Sequence, residues 1–109
     1  MSDQTNTSAP VAFADDEIRS RLAEISSWTV VQGKLHREFL FSTFLAAFEF
    51  MTRVAVVADA QQHHPEWFNV YNRVRIDLTT HDAGGITERD FALATRMEQI
   101  YAELTAPQA

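Results

Sequence analysis

The stretch from Phe44 to Gln62 restricts the fold more than any other part of the sequence, because its apolar residues fall on two faces of a predicted helix. One face carries Phe44, Phe48, Met51 and Ala55, and the other carries Phe50, Val54 and Val57. A helix that is apolar on two sides must be covered on two sides. We expect the sheet to provide one cover and a second copy of the chain to provide the other. A charged residue at Phe50 or Val54 would then weaken assembly, provided that those side chains face the partner.

Two predicted β-hairpins flank this helix. The first joins residues 28–31 to residues 35–41 through a turn at Gln32-Gly33-Lys34, and Leu35, Phe39 and Phe41 share one face of the second strand. The second hairpin joins residues 68–71 to residues 74–79 through a turn at Asn72-Arg73. Residues 74–79 alternate strictly between apolar and polar, which is typical of a half-buried strand.

Two further helices complete the predicted order α-β-β-α-β-β-α. The first begins at the acidic run Asp15-Asp16-Glu17 and ends near Ser26-Ser27, and Ser42 or Thr43 caps the second. The last helix begins at Thr87, with Asp90 as its capping-box partner. The pattern predicts an α+β domain in which a four-stranded antiparallel sheet has three helices packed on one face.

Composition bounds the function. The length of 109 residues predicts one domain, which we place at residues 13–106 after a disordered tail at residues 1–12. A net charge of −6 without a Lys/Arg cluster argues against nucleic-acid binding, and the absence of cysteine argues against disulfides and zinc–thiolate sites. We find neither a membrane span nor a secretory signal, so we expect a soluble cytoplasmic protein.

Three of the four histidines lie in two short segments, His63-His64-Pro65 and Thr80-His81-Asp82. Histidine titrates near neutral pH, so such a cluster suggests proton transfer, metal binding or pH sensing. The residues alone also allow the simpler interpretation that these are polar loop residues. Zinc is disfavoured, because adjacent histidines point their rings apart on an extended chain and none of the usual zinc spacings is present. The fourth histidine, His36, is expected to face solvent from a strand.

The run from His63 to Asn72, reading HHPEWFNVYN, is followed by Thr80-His81-Asp82 and by Thr87-Glu88-Arg89-Asp90. This combination resembles the pterin-4a-carbinolamine dehydratase family over about residues 15–104. The resemblance implies the same order of elements and catalytic histidines at His63, His64 and His81. It places pterin contacts in two segments, at His63, His64 and Pro65 and at Thr80, His81, Asp82 and Ala83.

The resemblance also implies an activity and its setting. Family members remove water from 4a-hydroxytetrahydropterin to give quinonoid dihydropterin, which recycles the cofactor of aromatic amino acid hydroxylases. They need no metal or other cofactor, and they form dimers or tetramers. Some animal members also bind a homeodomain transcription factor. A hydroxylase is therefore a candidate partner here, alongside a pterin substrate and further copies of the chain.

The proposed chemistry matches the residue types. Dehydration of a carbinolamine requires an acid near the departing hydroxyl and a base for the proton on the adjacent nitrogen, and imidazole suits both tasks. Trp67 is a candidate to pack on a flat heterocycle, and Asp59 or Asp82 is a candidate to orient a histidine. The sequence does not say which histidine is the acid. All three histidines are expected at element ends, where replacement would change folding little. The alternative from another class is an interaction module for a protein partner, built on the second helix.

Overall fold

The computed structural model describes residues 10–106. The helices are α1 (Asp15–Leu22), α2 (Phe44–Gln61) and α3 (Glu88–Thr105), and a short 3₁₀ turn covers His81–Ala83. The strands are β1 (Thr29–Val31), β2 (Lys34–Leu40), β3 (Glu66–Val70) and β4 (Arg73–Leu78). The predicted order α-β-β-α-β-β-α is confirmed, with three helices and a four-stranded antiparallel sheet.

The sheet brings the two hairpins together through their second strands. Its order is β1-β2-β4-β3, and all neighbours are antiparallel. Leu35 lies opposite Leu78, and Phe39 lies opposite Val74, so the apolar residues of both central strands share one face. The five inward residues of the central strands are almost fully buried: Leu35, Phe39, Val74, Ile76 and Leu78. Strand alternation therefore builds one wall of the core directly from the sequence pattern.

The ends of the elements differ from prediction in two places. Helix α1 ends at Leu22, before the predicted end near Ser26-Ser27, because the chain continues in tight turns in which each amide bonds three residues back. These turns still bury Ile25 and Trp28. The second hairpin turns at Tyr71–Asn72, one residue earlier than predicted. Tyr71 adopts a φ of 51°, a left-handed conformation that its residue type does not signal.

Within residues 10–106, only one of the two apolar faces of α2 is covered. The covered face consists of Ala47, Phe50, Val54 and Ala58. The open face includes Phe48 and Val56, whose side chains are 52% and 68% exposed. Phe50 and Val54 thus belong to the core and not to a contact between copies, so charged residues there would unfold the chain. Phe44 and Leu45 extend the open face at the start of the helix.

The opposite face of the sheet also carries exposed apolar side chains. Leu40, Phe68 and Val70 are each about half exposed, and the guanidinium of Arg75 lies 4.7 Å from the centre of the Phe68 ring.

Among residues 10–106, no helix combines the length and apolar character needed to cross a membrane.

The domain boundaries remain predictions. Residues 1–9 of the predicted tail, and residues 107–109, lie outside the described part of the chain. Pro10–Ala12 forms no helix or strand, and the amide of Phe13 donates to the carbonyl of Ile86 at 2.8 Å. Phe13 is thus hydrogen-bonded to the residue that precedes the cap of α3, and the boundary at residue 13 stays a prediction.

The cap of α2 is resolved between the two predicted candidates. The Thr43 hydroxyl accepts a hydrogen bond from the Ala46 amide at 3.0 Å, while the neighbouring Ser42 is exposed. Thr43→Ala should lower the free energy of unfolding by about 1 kcal/mol, because an orphan helix amide loses its partner. Ser42→Ala is the matched control and should change it by less than ~0.5 kcal/mol. Urea denaturation measures both, and equal losses would contradict this assignment.

Candidate active site

The end of α2 places His63 by backbone geometry. Gln62 adopts φ 54° and ψ 42°, and its amide donates to the carbonyl of Asp59 at 3.1 Å. The amide of His63 donates to the carbonyl of Ala58 at 3.0 Å. This pair of reversed hydrogen bonds is a Schellman motif, formed here with glutamine where glycine is the usual residue. The motif ends α2 and holds the His63 backbone against the last turn of the helix.

The His63 ring is buried and meets a buried carboxylate. Its Nε2 lies 2.6 Å from Oδ1 of Asp90, and Asp90 is fully buried in the first turn of α3. The second oxygen of Asp90 accepts the Thr87 amide and the Thr80 hydroxyl, each at 2.9 Å. An ionised carboxylate can only accept hydrogen bonds, so the short contact at Oδ1 is assigned to the Nε2–H of His63 as the donor.

The threonines orient this network. The Thr80 and Thr87 hydroxyls lie 2.7 Å apart. Thr80 donates its single hydroxyl hydrogen to Asp90, so the Thr87 hydroxyl donates to Thr80 while accepting the Arg89 amide at 3.1 Å. Thr87 and Asp90 thus form the predicted capping box, and the same carboxylate also holds His63. This network holds the assigned His63 hydrogen on Nε2, the nitrogen that faces Asp90.

A cleft of about 240 Å³ opens beside this network. Pockets for drug-sized ligands span about 300–1,000 Å³, so this one suits a small flat molecule with an edge in solvent. Its walls come from the end of α2, the end of β4, the 3₁₀ turn and α3. They are formed by Gln62, His63, His64, Thr79, Thr80, His81, Asp82 and Arg89. The structure thus brings together both histidine segments that the sequence singled out.

The other two histidines are far more accessible than His63. The His81 side chain is 78% exposed, and its Nε2 lies 3.1 Å from Oε2 of Glu66. The His64 side chain is 62% exposed, and its Nε2 lies 3.4 Å from Oδ1 of Asp59. The expectation that replacement leaves folding unaffected stays a prediction for these two exposed histidines. His63 is instead buried and hydrogen-bonded, so its replacement by alanine should destabilise the fold.

Some predicted substrate contacts lie away from the walls of the cleft. Trp67 packs against the hydrophobic core from β3, opposite Ile76 of β4. Pro65 links His64 to β3, Ala83 ends the 3₁₀ turn, and Asp59 lies in the last turn of α2 beside His64. Their part in substrate binding stays a prediction.

Several wall residues were not selected from the sequence. Asp90 was assigned only to the helix cap, and its contact with His63 spans 27 positions along the chain. Arg89 and Gln62 line the cleft beside residues that were selected. One feature of the sequence pointed to Asp90. It occupies the third position of a capping box, where Glu or Gln is usual, and its shorter side chain keeps the carboxylate close to the start of the helix.

A larger cavity of about 340 Å³ lies between α1, the end of α2 and α3. Two of its charged side chains, Arg21 and Glu88, are paired with each other, and the Arg21 guanidinium also bonds Glu17 and lies 4.7 Å from the centre of the Phe13 ring. No histidine of the described residues lines it. The smaller cleft is therefore the better candidate for chemistry. Within residues 10–106, no three His, Asp or Glu side chains are grouped so as to hold a metal ion, and metal independence stays a prediction.

Comparison with known proteins shows which family the chain is similar to. The sequence profile described as "Pterin 4 alpha carbinolamine dehydratase" matches residues 11–100, which include every wall residue of the cleft. The chain belongs to this family. The resemblance first carried by the histidine motifs is thereby confirmed over nearly the whole domain.

Individual relatives agree with the profile. A protein of Solibacter usitatus is 61% identical over 90 residues, which cover 83% of this chain and 95% of the relative. One of Burkholderia ambifaria is 50% identical over 99 residues, covering 89% and 96%. Both carry the name "Putative pterin-4-alpha-carbinolamine dehydratase". A crystal structure described as "transcriptional coactivator/pterin dehydratase" from Brucella melitensis matches with a TM-score of 0.80 at 39% identity, over 83% of this chain and 98% of that one.

Asp90 is expected to serve both the helix and the histidine. Asp90→Asn places an amide N–H against one of its present donors, so it should lower the free energy of unfolding by about 1–3 kcal/mol. It should also reduce dehydratase turnover, because the His63 tautomer is no longer fixed. Urea denaturation and steady-state kinetics measure the two effects.

The control for Asp90 is Glu88→Gln, which removes an exposed carboxylate in the same helical turn. Exposed ion pairs contribute roughly 0–1 kcal/mol, so this variant should stay near wild type in both measurements. Full activity of a folded Asp90→Asn protein would show that the carboxylate serves the helix cap alone.

Proposed function

We propose that this protein dehydrates 4a-hydroxytetrahydropterin to quinonoid dihydropterin by general acid–base catalysis in the histidine cleft. The observation that carries the proposal is the buried His63–Asp90 pair, whose 2.6 Å contact lies at the wall of a cleft that also contains His64 and His81. Membership of the family and the names of the relatives support the same activity.

The reaction assigns one task to each of two histidines. Water leaves when the carbon–oxygen bond breaks, the hydroxyl takes a proton, and the adjacent nitrogen gives up its proton to form a carbon–nitrogen double bond. His63 fits the base, because it lines the cleft and Asp90 is placed to stabilise the imidazolium that forms. His81 fits the acid, because its ring is accessible and its Nε2 lies 3.1 Å from Oε2 of Glu66, which holds the ring at the cleft.

The remaining wall residues bind and orient the substrate in this proposal. His64 is exposed and is assigned to substrate binding together with Asp82. The reaction requires no redox group or Lewis acid, so no cofactor is assigned. In this proposal the product, quinonoid dihydropterin, returns to the cofactor cycle of an aromatic amino acid hydroxylase, which is the proposed partner, and the proposed location is the cytoplasm.

Replacing the histidines tests the mechanism. His63→Gln keeps an N–H for Asp90 but cannot transfer protons, so turnover should fall by roughly 10²- to 10⁴-fold with little loss of stability. His81→Ala should cost a similar factor, and the double variant should fall short of additivity because both act on one substrate. His64→Ala should mainly raise KM. The assay follows dehydration of enzymatically generated carbinolamine, with circular dichroism to check folding.

His36→Gln is the matched control, since His36 lies on the outer face of the sheet, paired to Asp77 at 2.8 Å. Activity of all proteins should survive treatment with a chelator. Near-normal dehydration by a folded double variant at His63 and His81 would exclude the proton-transfer mechanism. Loss of activity on chelation, restored by zinc, would support the metal alternative instead.

We also propose that the open face of α2 mediates homo-oligomer formation. This face carries Phe44, Leu45, Phe48 and Val56, all exposed in the isolated chain. Contiguous exposed apolar residues on one helix mark interfaces more often than free surface. A symmetric dimer or tetramer through residues 44–62 would cover them.

Phe48→Glu should shift the assembly toward monomer while leaving the fold intact, because the residue faces away from the core. Phe68→Glu is the matched control. Phe48 and Phe68 are both 52% exposed, but Phe68 lies on the outer face of the sheet. Light scattering at micromolar concentration measures the outcome. Dissociation by Phe68→Glu alone would place the interface on the sheet.

A second candidate function is that of an interaction module. It is favoured by the same open apolar face and by the coactivator description of the similar Brucella melitensis structure. The dehydration assay separates the two, because a pure adaptor would not accelerate the reaction.

A further inference from the structure

The outer face of the sheet carries a row of charged side chains at the end next to the cleft. Lys34 of β2, Glu66 of β3 and His81 of the 3₁₀ turn are joined side chain to side chain. Their strands are not neighbours, since β4 separates β2 from β3. Lys34 therefore reaches across β4 to the strand that begins the histidine motif.

Glu66 is shared between two cationic or potentially cationic partners. Its Oε1 lies 2.7 Å from Nζ of Lys34, and its Oε2 lies 3.1 Å from Nε2 of His81. Because each oxygen has its own partner, the carboxylate cannot rotate without breaking one contact. Its backbone is fixed as well, since Glu66 pairs with Asp77 in the ladder between β3 and β4. The structure thus offers His81 an acceptor in a defined position.

We propose that Glu66 is a positioning residue for His81, and that Lys34 tunes this contact by competing for the same carboxylate. The inference rests on the proposed function only in giving His81 its part in the reaction. The contact of Glu66 with His81 parallels the contact of Asp90 with His63. In both pairs a carboxylate oxygen lies within hydrogen-bond distance of the histidine Nε2. The difference is that the Glu66 contact is exposed and therefore adjustable.

The charges around Glu66 keep it ionised at neutral pH. Its hydrogen bond with Lys34 lowers the pKa of Glu66 below the usual 4.5, with smaller contributions from the Lys34 charge and from His81. Because this pKa is lowered, the Glu66 anion persists to pH values below the ordinary pKa of a glutamate. It is lost only as the pH falls through the lowered pKa. The hydrogen bond to Glu66 likewise raises the pKa of Lys34, so the cation is present throughout the same range.

Other charged groups face His81 or the row from each adjoining element. Asp77 of β4 is held by His36 at 2.8 Å. On the cleft side, Asp82, Arg89, His63 and His64 share the walls with His81. Of the described carboxylates, Glu66 is the one with a hydrogen bond to the His81 ring. Its removal should therefore change the titration of that ring with a defined sign.

Two substitutions should move His81 in opposite directions. Glu66→Gln removes a nearby anion, which disfavours the imidazolium, so the ring should titrate at lower pH than in the wild type. Lys34→Met removes the competitor and leaves the full charge of Glu66 to His81, so the ring should titrate at higher pH. The double variant should match Glu66→Gln alone, because Lys34 acts only through Glu66.

The experiment follows the His81 ring by two-dimensional NMR as a function of pH, with the pH profile of kcat/KM measured on the same proteins. The limb of the profile assigned to His81 should move with the NMR titration. Glu38→Gln is the matched control, since this carboxylate lies on the same sheet face beside Arg73 at 3.9 Å and away from the cleft. It should move neither measurement.

The NMR arm keeps the inference separate from the proposed function. Opposite shifts in Glu66→Gln and Lys34→Met support the charge row even if no dehydration were detected, which would instead count against the proposed function. Unchanged titration of His81 in both variants, in an active enzyme, would overturn the inference and leave the dehydratase proposal standing. A shift of the same sign in both variants would also overturn it.

Discussion

The buried carboxylate of Asp90 is the interaction on which the rest of the structure depends. A carboxylate without solvent is costly unless donors surround it, and here the Thr87 amide, the Thr80 hydroxyl and the His63 ring supply them. These donors come from the start of α3, the end of β4 and the end of α2. The Asp90 carboxylate joins these three segments, so the contacts that shape the cleft are also contacts that stabilise the folded domain.

The cleft combines one fixed imidazole with one adjustable imidazole. His63 is buried against Asp90, whereas His81 stands in solvent with the shared carboxylate of Glu66. Electrostatic preorganisation favours groups that need no rearrangement during the reaction. Substrate must nevertheless enter and water must leave, which favours mobility on one side of the cleft. Burial divides these two requirements between the histidines.

Most of the fold could be predicted from the sequence, because alternation and helical periodicity act over short distances. The pattern placed both hairpins and α2, and the histidine motifs marked two segments that do meet. Periodicity gives the faces of a helix but not which face the sheet covers, so Phe50 and Phe48 could not be distinguished beforehand. The contact of His63 with Asp90 is non-local, and the left-handed Tyr71 depends on strand register, so neither is visible in neighbouring residues.

The reversed hydrogen bonds at the end of α2 have a consequence for how the protein loses activity. The amide of His63 is held by the Ala58 carbonyl, and its side chain by a carboxylate on another helix. Helix ends open at lower free energy than the core, so fraying of this single turn withdraws the imidazole while the sheet stays intact. Heat inactivation then reports local opening before global melting. A ligand that contacts His63 protects that turn from hydrogen exchange in proportion to its affinity.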